Sequence, residues 1–180
     1  TGPVVQKFSF NKIGDIRALG RYQLELGDKG SAGHIGVMAG FKLPTGKINI
    51  SNGQDNSAER ALRPGSGTTD FMLGGFYLLT QPAKNHSWFT QLQLQSAINE
   101  REGFKPGRKL NLDAGYLRQV AKNLGLMLQL NYRRAEKDSG NNAVAKNSGQ
   151  RTLSISPGLS YLWGKDWQIY GFVQKPLQQD

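Results

Sequence analysis

The sequence contains no cysteine, only two histidines and no long apolar run. The missing cysteine excludes disulfides, thiolate metal sites and cysteine nucleophiles. No stretch approaches the ~18 consecutive apolar residues of a membrane-spanning helix. The first residues lack the charged start and apolar centre of a signal peptide, so any such peptide is expected to be absent from this chain or already removed. Hydrophobic residues make up 37% of the chain, which is low for a protein that buries a conventional core.

Positive charge and glycine are abundant instead. The chain has 23 lysines and arginines against 13 acidic residues, a net charge of +10, and 23 glycines. The basic residues are scattered without a continuous run, which argues against a nucleic-acid groove. Solvated basic loops are one explanation of the charge, and contact with anionic lipopolysaccharide is another.

Most of the chain alternates between apolar and polar residues, as in RTLSISPGLSYLW at 151–163. This period of two indicates β-strands with one apolar face. Such segments are 10–14 residues long, whereas soluble strands average ~5–6 and a tilted strand crosses a bilayer in ~9–11. The pattern predicts eight strands, with part of a ninth at 3–10; the eight are 15–26, 33–43, 70–81, 88–98, 108–120, 125–136, 150–163 and 167–178.

The connections between these strands are sorted by length. Short ones lie at 27–32, 82–87, 121–125 and 164–166, and they alternate with longer ones at 44–69, 99–107 and 137–149. Outer-membrane barrels have short turns at the periplasmic end and longer loops at the other end. Amphipathic aromatics also gather at membrane interfaces. Four are predicted to do so at the short-turn end: Trp88, Tyr161, Trp163 and Trp167.

If lipid covers the apolar faces, the polar faces line a wet interior. The charged residues expected in that lumen are Arg17, Arg21, Glu25, Lys109, Asp113 and Arg133. They are predicted to pair with each other or to set the selectivity of a channel. Strand 70–81 is apolar on both faces, which suits either a pore for hydrophobic molecules or packing against a plug or partner.

The number of strands has a further implication. If the turn at 164–166 is periplasmic, strand 167–178 runs outward and Asp180 lies on the outer side. Bacterial barrels have an even number of strands and both termini in the periplasm. A strand should therefore follow Asp180, and another should precede strand 15–26. The expected fold is all-β: a single-domain, antiparallel up-and-down transmembrane β-barrel over 1–180, incomplete here, with its closing strands supplied by a longer chain or by another chain.

Several phrases resemble the meta-pathway phenol-degradation family of outer-membrane proteins. They are IGDIRALGRYQL (13–24), GVMAGFKLPTG (36–46), LRPGSGTTDFMLGGFY (62–77) and IYGFVQKPLQQD (169–180). The resemblance covers most of the chain and implies a transporter-type barrel of Gram-negative bacteria, associated with the breakdown of aromatic compounds. It also implies a loop and a last strand after the Pro-Leu-Gln segment.

Catalytic signals are weak. His34 and His86 both fall at the short-turn end, near Ser31 and Ser87, but no spacing orients a catalytic triad. The stretch NGQDN at 52–56 could hold Ca²⁺ but lacks EF-hand spacing. We therefore expect a protein that is not an enzyme and has no catalytic residues, resident metal or cofactor.

Three functions fit these observations. The first is an outer-membrane barrel that binds or passes small, hydrophobic or aromatic solutes, with outer-membrane lipid and lipopolysaccharide around it. The second is a structural sleeve or anchor of an outer-membrane complex whose lumen is plugged by a protein partner. The third is a soluble ligand-binding β-barrel. Nucleic acid is not an expected partner.

Overall fold

The computed structural model describes residues 11–28, 31–50, 58, 63–143, 145–164 and 166–180. In these ranges the chain is almost entirely β-structure, and its helical segments are two single 3₁₀ turns. The nine strands are β1 (Ile16–Asp28), β2 (Ser31–Leu43), β3 (Asp70–Gln81), β4 (His86–Ala97), β5 (Lys109–Ala121), β6 (Leu124–Ala135), β7 (Gln150–Trp163), β8 (Trp167–Phe172) and β9 (Lys175–Gln179). Among the described residues, no helix is long and apolar enough to cross a membrane.

The strands form one antiparallel up-and-down sheet. From β1 to β8 each strand pairs with the next along the chain. β9 pairs with the N-terminal part of β7. Within the described ranges the sheet is open, because β1 and the β8–β9 segment each keep one free edge. The prediction of an all-β, up-and-down sheet is thus confirmed, and the open sheet is consistent with an incomplete barrel. The segment 3–10 and the loop stretch 52–56 lie outside the described residues.

The predicted strand boundaries hold to within about three residues, with one difference. Segment 167–178 is divided into β8 and β9 by a break at Val173 and Gln174. Opposite this break lies Pro157 of β7, whose carbonyl accepts a hydrogen bond from the Val173 N–H at 3.0 Å. Proline has no N–H to return, so the ladder loses one bond at this point. The interruption follows from that missing donor.

The two faces of the sheet differ in how crowded they are. One face carries Arg21, Met72, Gln95, Asn131 and Ser156, and we call it the inner face; the opposite face is the outer face. At most inner glycines an added Cβ would collide with the neighbouring strand, whereas at outer Gly75 the nearest atom would be 3.6 Å away. Among the described residues the outer face has one crowded glycine, Gly33, where the added Cβ would lie 2.7 Å from the Leu26 carbonyl oxygen. Crowding is therefore greater on the inner face, which is consistent with a sheet that curls around its polar face.

Burial is concentrated on the inner face near the long connections. Among the described residues the most completely buried large side chains are Thr68, Asp70 and Met72. Most large apolar side chains are instead well exposed, and many of them lie on the outer face; Leu94 and Leu128 are examples, at 47% and 45% exposed. The protein therefore turns its polar residues inward and its apolar residues outward, the reverse of a soluble sandwich.

The connections keep the predicted sorting where they are described. β3 and β4 are joined by the short 3₁₀ turn Pro82–Lys84 followed by Asn85, which adopts a left-handed φ of 55°. β5 and β6 are joined by only two residues, 122–123. His86, expected in the turn, is instead the first residue of β4 and pairs with Gln81.

Candidate functional site

All six charged residues predicted for the lumen lie on the inner face. The pairing register places them there: Arg17 is opposite Lys42, Glu25 opposite His34 and Lys109 opposite Gln95. The other three are Arg21, Asp113 and Arg133, opposite Met38, Asn131 and Asn111. Within the described part of the chain, none of the six forms an ion pair. Four cations against two carboxylates give this set a positive excess.

Arg21 is held by an aromatic ring instead. Its guanidinium carbon lies 3.6 Å from the centre of the Phe76 ring, a cation–π contact between β1 and β3. The Phe76 ring in turn lies over Gly36, its direct partner on β2, where a Cβ would overlap the ring. The layers Gly36, Phe76 and Arg21 therefore form a stack on the inner face.

Two further phenylalanines lie over a glycine in the same way. Phe89 of β4 covers Gly115 of β5, and Phe172 of β8 covers Gly158 of β7. A ring that lies flat on a glycine buries its apolar surface without standing up into the interior. These three rings therefore pack against the wall at its glycines.

A hydrogen-bond network without a cation links strands β5, β6 and β7. The Asn131 amide donates to Asp113 Oδ1 at 2.7 Å, and the Ser156 hydroxyl donates to Asn131 Oδ1 at 2.8 Å. Asn131 is 8% exposed and Ser156 4% exposed. This network runs from β5 to β7 and gives Asp113 a neutral partner, so the carboxylate is retained on the wall without a cation.

A buried ion cluster lies where the long connection 44–69 meets the sheet. The Lys42 ammonium lies 3.3 Å from Asp15 Oδ2 and 3.0 Å from Asp70 Oδ2. It also donates to the hydroxyls of Ser66 and Thr68. The three charged side chains are at most 9% exposed. One cation between two carboxylates leaves the cluster with a formal charge of −1.

The cluster fastens both ends of the long connection. Asp15 Oδ1 accepts the Gly46 N–H at 3.0 Å, and Asp15 Oδ2 accepts the Ser66 N–H at 3.0 Å. Burial raises the pKa of Asp15. The hydrogen bonds from Ser66 and Gly46 and the charge of Lys42 outweigh burial, so the pKa lies below its usual value. The ionised form of Asp15 is therefore the one that the fold stabilises.

Alternation and spacing in the sequence do not predict this cluster, although its residues lie within the phrases quoted for the family resemblance. Asp15 belongs to IGDIR, Lys42 to FKLPTG and Asp70 to PGSGTTD. One feature of the sequence does indicate an inward charge. Lys42 lies between Phe41 and Leu43, and because neighbouring residues of a strand point to opposite faces, a charge flanked by outward apolar residues points inward.

The outer face carries the aromatics predicted for a membrane interface. Trp88 lies against Tyr116 with ring centres 4.3 Å apart, and His86 lies 5.8 Å from the same tyrosine. Trp163 and Trp167 are direct partners across the β7–β8 turn and are 68% and 75% exposed. Tyr161, also predicted, is 48% exposed on the same face. All four predicted aromatics thus lie on one face and at one end, the short-turn end.

The two histidines do not form a catalytic arrangement. His86 shares a hydrogen bond of 2.6 Å with Gln81 on the outer face. His34 lies on the inner face, and its Nδ1 atom is buried with no hydrogen-bond partner in the part of the chain that the structure describes. Among the described side chains, no group of three or more histidine or acidic residues could hold a metal ion.

Comparison with known proteins gave one informative result. A family model described as "Putative MetA-pathway of phenol degradation" matches residues 2–180, which is almost the entire chain. A search for relatives among curated proteins gave no match.

Proposed function

This chain belongs to that phenol-degradation family, and we propose that its sheet is part of an outer-membrane β-barrel that passes small aromatic solutes. The family and the β-sheet fold fit a role related to aromatic compounds. The observation that carries the membrane part of the proposal is the outer face. It is a continuous apolar surface that extends across the sheet from β1 to β8.

Water is a poor solvent for such a surface. The largest apolar patch of a soluble monomer is about 300–600 Å², whereas here leucine, isoleucine and aromatic side chains cover a whole face of the sheet. Residues at the centre of this face, Leu92, Leu128 and Leu130, are 42–47% exposed. Lipid tails would cover them at no cost in polar burial, because the strand hydrogen bonds are already made within the sheet.

The height of the apolar band supports the same proposal. On β7 the band runs from Tyr161 at the short-turn end to Arg151, which lies directly opposite Arg134 of β6. The ten residue steps between them span roughly 33 Å along the strand, or roughly 25 Å along the membrane normal at the ~40° tilt usual in barrels. That is the height of the apolar band of outer-membrane barrels.

The inner face supports passage of small solutes. Its wall carries phenylalanines over glycines and the Asn131–Ser156 network, and the charged side chains outside the ion cluster are four cations and two carboxylates. Cations on a wall raise the local concentration of anions, and aromatic surfaces retain apolar rings. Aromatic acids and phenols combine both properties.

The test uses the full-length protein in liposomes. In the first arm, brominated lipids should quench Trp88, Trp163 and Trp167, while iodide in water quenches them weakly. In the second arm, planar-bilayer conductance and the uptake of benzoate should both be observed. Lipid quenching without conductance would favour the plugged sleeve. A protein that stays soluble without detergent, with tryptophans open to iodide, would favour the soluble barrel and overturn the proposal.

A further inference from the structure

We propose that Arg134 and Arg151 form a binding site on the outer face for a phosphate group of lipopolysaccharide, in its lipid A part. The site rests on the proposed function, because it requires the outer face to lie in the membrane. The two arginines are direct partners across β6 and β7, and both are exposed. Directly opposed residues of an antiparallel pair have Cβ atoms about 4.5–5.5 Å apart, so a single phosphate can contact both guanidiniums.

Neither guanidinium of this pair forms an ion pair within the described part of the chain. The carboxylate that follows β6, that of Glu136, is bound to Arg108 at 2.8 Å. Beside β7, Asp180 exchanges two backbone hydrogen bonds with Arg151, and its carboxylate accepts a hydrogen bond from the Gln178 amide at 3.2 Å. Like charges directly opposite each other destabilise a strand pair. An anion that binds both arginines would remove this repulsion.

The pair lies at the upper boundary of the apolar band, at the end of the sheet that carries the long connections. Ten residue steps, or roughly 25 Å along the membrane normal, separate Arg151 from Tyr161 at the short-turn end. In outer-membrane barrels the long loops are extracellular, so this boundary is at the headgroups of the outer leaflet. The lipid of that leaflet is lipopolysaccharide, whose lipid A carries phosphates on a sugar headgroup above its acyl chains.

The residues below the pair provide a surface for acyl chains. Tyr132 lies opposite Leu153 in the next outward-facing row, and Leu130 lies opposite Ile155 in the row after that. Leu130 is 47% exposed. Two cations above two rows of apolar side chains match a molecule with phosphate above hydrocarbon. A free phosphate ion would contact the arginines alone, so the arrangement favours the phosphorylated lipid.

The experiment measures binding of lipid A to the full-length protein in detergent micelles by native mass spectrometry. The probes are diphosphoryl lipid A and lipid A without phosphate, with inorganic phosphate as a competitor. We expect loss of the phosphates to weaken binding about tenfold. The double variant Arg134→Gln/Arg151→Gln should weaken binding of diphosphoryl lipid A by about the same factor. Arg134→Lys/Arg151→Lys should weaken it less, because the charge remains and only the planar fork is lost.

Two single variants are matched controls. Arg118→Gln removes an exposed cation on the outer face at the short-turn end, and Arg133→Gln removes the inner-face cation next to the pair. Each should change the affinity less than twofold. A loss in either control equal to that of the double glutamine variant would show a general charge effect and overturn the site. Equal affinity for the two forms of lipid A, or displacement by equimolar inorganic phosphate, would overturn it as well.

A second measurement separates lost binding from lost folding. In phosphatidylcholine vesicles without lipid A, the double glutamine variant should unfold at a urea midpoint no lower than that of the unaltered protein, because a like-charge pair is removed. Added lipid A should raise the midpoint of the unaltered protein and leave that of the variant unchanged. Equal increases for the two proteins would overturn the site.

The site and the proposed function can fail separately. Lipid quenching and benzoate uptake, together with lipid A binding that does not depend on Arg134 and Arg151, would refute the site and leave the proposed function intact. Lipid A bound through the two arginines by a protein that takes up no benzoate would support the site and count against passage of aromatic solutes.

Discussion

The orientation of the sheet can be tested with one pair of neighbouring residues. Leu128 lies at the middle of β6 on the outer face and is 45% exposed, with Tyr116 and Pro157 opposite it. Gln129, the next residue, lies on the inner face between Gly115 and Ser156. We predict that Leu128→Arg is far more destabilising in lipid than Gln129→Arg, although both introduce the same side chain on the same strand.

The magnitude follows from the environment. An arginine on the lipid-facing surface near the bilayer midplane costs about 2–4 kcal/mol, whereas a lumen position keeps its side chain in water. A difference of ~3 kcal/mol corresponds to a factor of more than 100 in the folding equilibrium constant. If the outer face met water, replacing the already exposed Leu128 would change stability by only about 0.5 kcal/mol.

The assay is reversible urea unfolding in phospholipid vesicles, followed by tryptophan fluorescence. Leu128→Gln serves as a second control, because it removes the apolar side chain without adding charge and should give an intermediate loss. If Leu128→Arg and Gln129→Arg have equal midpoints, lipid does not cover the outer face, and the argument from exposed leucines fails.

Three further predictions concern the interior. Lys42→Met should destabilise the protein by about 3–5 kcal/mol in urea unfolding, because it leaves buried carboxylates without their cation; a loss under 1 kcal/mol would show that the cluster is solvated. The lowered pKa of Asp15 means that its stabilising contribution is present above pH ~4, the unfolded value, and is lost as pH falls through the folded value. Asp15→Asn should therefore flatten the acid limb of a stability–pH profile, and an unchanged limb would contradict this. Gly36→Ala should destabilise strongly, since the new methyl group meets the Phe76 ring. Gly75→Ala makes only an ordinary van der Waals contact, 3.6 Å from the nearest atom, and should be neutral or slightly stabilising; similar unfolding midpoints for the two variants would refute the stacking.

The strands could be predicted from the sequence because alternation records which face each side chain occupies. In segment 125–136 the residues 128–133 alternate strictly, and the predicted boundaries were within one residue of β6. Segment 70–81 resisted interpretation because both of its faces are apolar. Its explanation requires the partner strand: Phe76 is accommodated on the inner face by Gly36, and only the register brings them together.

The ion cluster could not be predicted for a related reason. Asp15 and Asp70 are 55 positions apart, and a long connection separates Lys42 from Asp70. The alternation of apolar and polar residues predicts that Lys42 points inward, but it does not predict which side chains contact Lys42 on the inner face. That depends on how the ends of the connection return to the sheet, which is set by backbone hydrogen bonds to a carboxylate.

The flat phenylalanines also determine how neighbouring strands are aligned during assembly. Slipping two strands by one residue moves every side chain to the opposite face. A slip of two residues keeps the faces but would drive each ring into a side chain in place of a glycine. Phe76 fixes the register between β2 and β3, Phe89 that between β4 and β5, and Phe172 that between β7 and β8. Because each strand from β2 to β8 pairs with the strand just before it, the sheet can grow one strand at a time, and these rings select the correct register when β3, β5 and β8 are added.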